Sequence, residues 1–311
     1  MTMQTIFSQN KANHLIRSPL FYVGDKYKLM PQLKRLFPSK IQTYIEPFVG
    51  GGSSFLNTQA QNYLLNDVDS YIIALHKFLS GSAQNPLFLT QIFNLIESYS
   101  LSCSLKNIIP PKSLREAHKK TYFAKFNKES YLKLRNEFNA NKKDMLKLYM
   151  LLIYGFNRML RFNAKGDFNL PVGNVDFNHN VLKALKDYFR FIQDKNIVFS
   201  NADYRDFLLS IPLRKGDFIY LDPPYLISGS EYNKLWNETL ESHLYELLEK
   251  LDSKGIAWGL SNLLAHKGKT NTLLKNFSKK YLTYTIQSNY ISFNDNSIKK
   301  DSVEVYVTNV K

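Results

Sequence analysis

The residues best suited to chemistry are Asp222-Pro223-Pro224-Tyr225, which follow the apolar run Asp217-Phe218-Ile219-Tyr220-Leu221. Proline has no N–H and a fixed φ, so two in succession stop a strand from continuing and stiffen the backbone. The Asp222 carboxylate and the Pro223 carbonyl then stand side by side as two acceptors, and Tyr225 adds a flat aromatic face. Two acceptors beside a stacking surface suit a planar ring that bears an NH2 group. The plainer alternative is a proline-rich turn with a capping aspartate. A second group lies upstream, Phe48-Val49-Gly50-Gly51-Gly52-Ser53, after the short apolar run Tyr44-Ile45-Glu46. Glycines that follow a strand let backbone approach a ligand closely. Asp67 closes the next apolar run, near the spacing of roughly 20 residues at which a carboxylate meets ribose hydroxyls in dinucleotide folds. The pattern is not G-x-G-x-x-G, so it fits a nucleoside-containing cofactor or an ordinary tight turn between strand and helix.

Groups of this kind need a sheet to hold them. Residues 20–37 read as a glycine turn followed by a helix, with Leu29, Leu33, Leu36 and Phe37 at helical spacing. Residues 44–46 read as a strand broken by Pro47, 48–55 as a glycine turn opening a helix, and 63–67 as a second strand. Strand, turn, helix and strand in that order begin a doubly wound α/β sheet. The pattern resumes with strands at 197–199, 217–221 and 256–260, a helix at 241–251, and the turn Asn201-Ala202-Asp203-Tyr204. Residues 282–288 and 303–310 alternate like two antiparallel strands around a polar loop at 294–300. Between about 71 and 188 helical periodicity dominates, as in Leu146, Tyr149, Met150, Leu152 and Ile153, interrupted by the basic stretch 106–120. The expected organisation is an α/β domain formed by 1–75 and 189–311, with a helical insertion at 76–188.

A chain of 311 residues with 44% hydrophobic content suffices for one large domain carrying such an insertion. The formal net charge of +15 and pI near 9.5 point to a polyanionic partner. The lysines are scattered, not gathered on one amphipathic helix, which argues against a membrane surface. The single cysteine, Cys103, excludes an internal disulfide and a cysteine metal cluster and suits a reducing compartment; it reads as a packing residue. No signal peptide and no membrane span are expected, and His118, His179, His243 and His266 form no ligand pattern, so no metal is expected.

The glycine motif, a long insert and Asp222-Pro223-Pro224-Tyr225, in that order, resemble the cofactor-binding and catalytic motifs of amino-group DNA methyltransferases. With Tyr22-Val23-Gly24-Asp25-Lys26-Tyr27 ahead of them, the chain is similar to the Dam-type (alpha group) DNA adenine-N6 methyltransferases from about Leu20 to the C-terminus. The resemblance implies a Rossmann-like class I methyltransferase sheet with a helical target-recognition insertion and S-adenosylmethionine as cofactor. It implies catalysis at Asp222, Pro223, Pro224 and Tyr225. Tyr22 and Lys26 would line the cofactor site, Phe48, Gly50 and Gly52 would wrap its methionine part, Asp67 would take the ribose, and Asp203 and Tyr204 would flank its adenine. Residues 157–173 look like the family's DNA-reading segment. There Arg161 matches an arginine that contacts guanine, a pairing worth ~1–3 kcal/mol against a wrong base. Met159 and Pro171 would touch neighbouring base pairs, and Phe156 and Asn157 would act where the target base leaves the stack. Phe156 fits a core position equally well. Asn163 joins this set, which without the resemblance reads as a solvated basic loop with Lys165.

The implied partner is double-stranded DNA, with a cognate restriction endonuclease acting on the same site; the implied setting is a monomer in the bacterial cytoplasm. The implied target is GATC or another short adenine-containing site. Phe21 stands where many relatives have a site-reading lysine, and Asn174-Val175-Asp176 departs from a more basic, aromatic version. The rival assignments are an amino-group methyltransferase acting on RNA or another amino substrate, and a non-catalytic nucleic-acid-binding module on the same fold.

Overall fold

Short apolar runs bounded by turn residues build the sheet, as the alternation of strands and helices requires. The computed structural model describes residues 15–228, 236–287 and 302–311. Among the described residues the strands are β1 (Thr43–Glu46), β2 (Asn62–Asn66), β3 (Asn196–Ser200), β4 (Phe218–Leu221), β5 (Ala257–His266), β6 (Lys269–Thr270), β7 (Leu282–Ile286) and β8 (Val303–Thr308). The helices are α1 (Met30–Leu33), α2 (Ser70–Ser82), α3 (Phe88–Ser98), α4 (Lys112–Ala117), α5 (Tyr122–Ala140), α6 (Met145–Tyr154), α7 (His179–Ile192), α8 (Tyr204–Ser210), α9 (Glu238–Ser253) and α10 (Thr272–Phe277).

The sheet order is β3-β2-β1-β4-β5-β8-β7, with β6 paired to β5. β3, β2, β1, β4 and β5 run parallel, whereas β8 is antiparallel to both β5 and β7. Every residue of β4 is buried, as a central parallel strand covered on both faces must be. The strand order reverses between β1 and β4, the switch point at whose carboxyl end such sheets bind ligands. Ile219, Leu221, Leu244, Leu248, Trp258 and Phe277 form the centre of the core on one side, where Tyr245 and Phe277 stack at 4.3 Å.

The chain forms two compact units. One comprises the described residues of Pro31–Gly50, Thr58–Gln84 and Ile192–Lys311 and holds the sheet. The other comprises the segment ending at Met30, Gly51–Asn57 and Asn85–Phe191, and is helical. In the helical unit α6 is buried on every side from Leu148 to Tyr154, where the spacing of Leu146, Tyr149, Met150, Leu152 and Ile153 predicted one apolar face. The polar ends are satisfied instead: the Tyr154 hydroxyl donates to the Ser102 carbonyl at 2.6 Å and the Tyr149 hydroxyl to Pro19 at 3.2 Å.

Three local expectations are corrected. After the glycine turn the chain forms a single 3-10 turn, Phe55–Asn57, and no α-helix. The Asn57 side chain stops it there, donating to the Ser53 and Ile16 carbonyls at 2.8 Å each and accepting from the Ile16 amide at 2.9 Å. Within residues 20–37 only Met30–Leu33 is α-helical; Leu29 and Leu36 close tighter turns onto Lys26 and Leu33. β5 runs six residues past the expected end at 260, because β8 pairs along it as far as Ala265 opposite Val303. The final antiparallel pair forms as expected, while the polar loop at 294–300 lies outside the described residues.

Candidate active site

β1 and β4 pair in parallel, with Tyr44 opposite Phe218 and Ile45 opposite Ile219. Their carboxyl ends therefore deliver Phe48–Gly50 and Asp222–Tyr225 to neighbouring positions at the switch point. Asp222, Pro224 and Tyr225 are half-buried and Pro223 is buried. The Tyr225 hydroxyl lies 3.0 Å from Asp222 Oδ1 and 2.9 Å from Glu304 Oε1. A phenol has one proton, so it donates to one carboxylate at a time. Glu304 is buried on β8 and gave no signal in the sequence, because strand pairing alone brings it here. The corner is electronegative. Burial, and then the charges of Asp222, Glu46 and Glu304, push the Tyr220 phenol well above its ordinary value.

Gly50 is held from both sides. Its amide donates to Asp67 Oδ2 at 2.9 Å, and Asp67 Oδ1 accepts from the Asp69 amide at 2.9 Å. Burial of the Asp67 carboxyl raises it to about 6, against the pull of those two amides. The Gly50 carbonyl accepts from His76 Nε2 at 2.9 Å, which makes Nε2 the protonated nitrogen. His76 is fully buried, stacks on Phe199 at 5.3 Å, and is lowered to about 4 by burial. A histidine on the inner face of α2 carries no sequence signal of this role.

Phe48, Tyr204 and Trp236 form an aromatic group. The Phe48 ring lies 5.2 Å from Tyr204 and 5.8 Å from Trp236, and Tyr204 lies 5.8 Å from Trp236. The Trp236 indole donates to Glu241, which is buried and also accepts from Asn262 and Asn271 at 2.8 and 2.9 Å. Trp236 is a further candidate; its one sequence signal is an aromatic directly before Asn237, the N-cap of α9. Asp203 caps α8 and pairs with Arg205 Nε at 2.9 Å. Burial raises its carboxyl, but the Arg205 bonds and charge prevail and leave it below its ordinary value.

Tyr22, Lys26 and Gly52 belong to the helical unit. Tyr22 is half-buried and Lys26 buried. Gly51 sits so close to Tyr22 that a Cβ there would stand 2.8 Å from the Tyr22 Cβ, which is why that position takes no side chain. Gly52 adopts φ +79° and Gly50 φ +45°.

Residues 155–172 of the same unit form a folded hairpin. Gly155 bridges Val172 and Phe162 bridges Phe168, while the Phe156 amide donates to the Pro171 carbonyl at 2.9 Å. Arg161 is clamped along its fork, Nε on Asn169 Oδ1 and one terminal nitrogen on the Asn169 carbonyl, both at 2.9 Å. Asn163 Oδ1 accepts from the Lys165 and Asp167 amides at 2.9 Å each and shapes the tip. Phe156 is 51% exposed, so it is not a core residue; Asn157 and Pro171 are exposed and Met159 half-buried.

A parallel sheet whose order reverses beside β1, with an antiparallel strand inserted between β5 and β7, is the sheet of a Rossmann-like class I methyltransferase. Residues 22–294 match the D12 class N6 adenine-specific DNA methyltransferases, and the chain belongs to that family. It is similar to the type II methyltransferase M.FokI of Planomicrobium okeanokoites, 34% identical over 97% of this chain and 44% of that one. It is similar to the modification methylase StsI of Streptococcus sanguinis, 34% identical over 94% of this chain and 43% of that one. A DNA adenine methylase of Salmonella typhi is 28% identical over 79% of this chain and 80% of that one. The chain thus spans less than half the length of the first two relatives. S-adenosylmethionine is the general methyl donor of such families.

Proposed function

We propose that this chain transfers a methyl group from S-adenosylmethionine to the N6 amino group of an adenine flipped out of duplex DNA at a short specific site. The observation that carries this is the electronegative corner after β4, where Asp222, backed by Glu304 through Tyr225, projects beside the glycine turn at the switch point. The residues present fit the cofactor. The half-buried Phe48 and Trp236, backed by the buried Tyr204, offer aromatic faces for a nucleobase, Asp67 keeps lone pairs for ribose hydroxyls, and Gly50 and Gly52 adopt backbone that favours glycine. Asp203 flanks the same aromatic group from the α8 cap. Tyr22 and Lys26 are proposed as further cofactor ligands on the sequence resemblance alone. When bound, the cofactor supplies an electrophilic methyl group on a sulfonium.

Adenine's amino lone pair is delocalised into the ring and is a weak nucleophile. Asp222 and the Pro223 carbonyl accept the two N–H bonds, which turns the lone pair toward the methyl and supports positive charge as it develops on N6. The target atom is inaccessible inside a duplex, so the base must leave the stack, and the ring of Tyr225 receives it. Fixing the nitrogen in line supplies much of the remaining acceleration. Once methylated, N6 carries a positive charge and its surplus proton is acidic enough to pass to the Asp222 carboxylate or to water, so no strong base is needed. Arg161, with Met159 and Pro171, reads neighbouring base pairs, and Phe156, Asn157 and Asn163 support the opened duplex. A cognate restriction endonuclease acting at the same site completes the proposal, in keeping with relatives named as type II and modification methylases.

Incubation of labelled S-adenosylmethionine with duplex DNA, RNA and protein is expected to label DNA alone, at adenine N6. Asp222→Ala is expected to abolish transfer while cofactor binding persists. Label in RNA or protein, or normal turnover by the Asp222 variant, overturns the proposal.

A further inference from the structure

A cavity of about 580 Å³ in the helical unit is lined by Arg17, Phe21, Tyr27, Arg158, Lys183 and Asp187 among others. The Phe21 ring organises it. The Arg158 guanidinium lies over that ring at 4.1 Å and the Arg17 guanidinium at 4.9 Å; Arg17 also lies 5.0 Å over Tyr27. Cation–π contact fixes where two cations sit but neutralises neither. Among the described residues, the Nε of each arginine is buried and has no hydrogen-bond partner. Asp187, on the wall, is already bonded to Lys183 and to Arg190. Asp25 offsets Arg17 in part; burial raises its carboxyl above its ordinary value, against the pull of Arg17. Arg158 is lowered to about 10, first by burial; Tyr149 opposes this, repulsion from Arg17 adds to it, and the Asp176 carboxylate offsets it in part.

Two like charges with buried donors are costly unless water or an acceptor reaches them, and an anion offsets the charge as well as filling the donors. Phe21, Asn157 and Arg158 also hold left-handed φ of 49°, 52° and 50°, strain that the fold keeps at this spot. Fork-shaped donors matched to paired anionic oxygens are the chemistry of phosphate recognition. A cavity takes a protruding group and not the edge of a stacked base pair, so base readout is disfavoured.

We propose that Arg17 and Arg158, mounted on Phe21, grip one backbone phosphate of the DNA strand, an inference that rests on duplex DNA being the substrate. Phe21 is then a positioning residue, the ring that holds two arginines.

The test uses the full chain and labelled duplexes, with affinity measured against salt for the wild type, Arg158→Gln, Arg17→Gln and Arg158→Lys. Each glutamine variant is expected to bind about tenfold more weakly at low salt. The loss is uniform across sequences, and the slope of log affinity on log salt falls by about 1. Arg158→Lys keeps the slope. If Arg158→Gln does not fold, Arg17→Gln carries the same test. Unchanged slopes overturn the site, and so does a loss confined to particular sequences, which would make Arg158 a base reader. Inorganic phosphate raising the wild-type melting point while glutamine variants bind DNA normally would reassign it to free phosphate. A wild type that neither binds nor methylates duplex DNA sinks both this site and the proposed function; one that does both, with slopes unaltered in the variants, sinks this site alone.

Discussion

His76 and Asp67 hold the two ends of the same peptide residue, and their ionisations oppose each other. In the folded chain His76 takes a proton only below about pH 4, whereas in the unfolded chain it does so below its ordinary 6.5. Between those limits the unfolded state binds more protons, so stability falls as pH falls, by about 3 kcal/mol in total. The Asp67 carboxyl is raised to about 6 in the folded chain against an ordinary 3.8. Here the folded state binds the proton first, so stability rises as pH falls from about 6 to 3.8, again by about 3 kcal/mol. In the wild type the two contributions nearly cancel across the same window. His76→Gln removes one arm, so this variant should gain about 3 kcal/mol relative to the wild type on passing from neutral pH to about pH 4. Asp67→Asn should lose a similar amount. The assay is urea unfolding at a series of pH values, followed by tryptophan fluorescence. Both tryptophans, Trp236 and Trp258, lie in the same unit as the pair and report on it. Other titrating groups enter all three profiles alike and drop out of the differences. Variant profiles parallel to the wild type would refute the burial of both groups and their hold on Gly50.

Two further outcomes follow from close approach and from exposure. Gly51→Ala places a Cβ 2.8 Å from the Tyr22 Cβ, an atom that moves only with its backbone, so calorimetry should show a loss of about 1–3 kcal/mol together with weaker cofactor binding. Retention of both wild-type values would show that Tyr22 does not pack there. Phe156→Ala removes a side chain that is 51% exposed, so the melting point should hold within the small scatter of surface substitutions while methylation of duplex DNA falls. Larger losses on single-stranded than on duplex substrate would contradict a role in opening the helix.

What the sequence made legible were residues whose meaning is local. Asp222 to Tyr225 announce themselves because two prolines end a strand wherever they occur, and Asp67 because it closes a strand at a set distance from the glycines. The sheet was legible for the same reason, each strand being a short apolar run between turn residues. Helix length was less so: the turn after Gly52 ends at Asn57 because a side chain 41 positions from Ile16 binds it, and no periodicity records such a partner. His76, Glu304 and Trp236 were missed on similar grounds. Each is an ordinary residue of its type until β8, α2 or the α9 cap brings it to Tyr225, Gly50 or Phe48.

The two departures from the family pattern, Phe21 and Asn174-Val175-Asp176, acquire a physical content that neither had alone. Asp176 is buried and accepts from the amide and hydroxyl of Ser104, and Asn174 accepts from the Phe123 amide at 2.8 Å at the start of α5. These two side chains are occupied in holding the helical unit together. Within the same unit Arg158 and Phe21 stand as a cation on a ring, with Arg17 beside them. On the proposal that this pair takes a phosphate, Phe21 supports a contact that carries no base information. On the proposed reading, sequence discrimination then rests more heavily on Arg161, whose fork Asn169 fixes at two points.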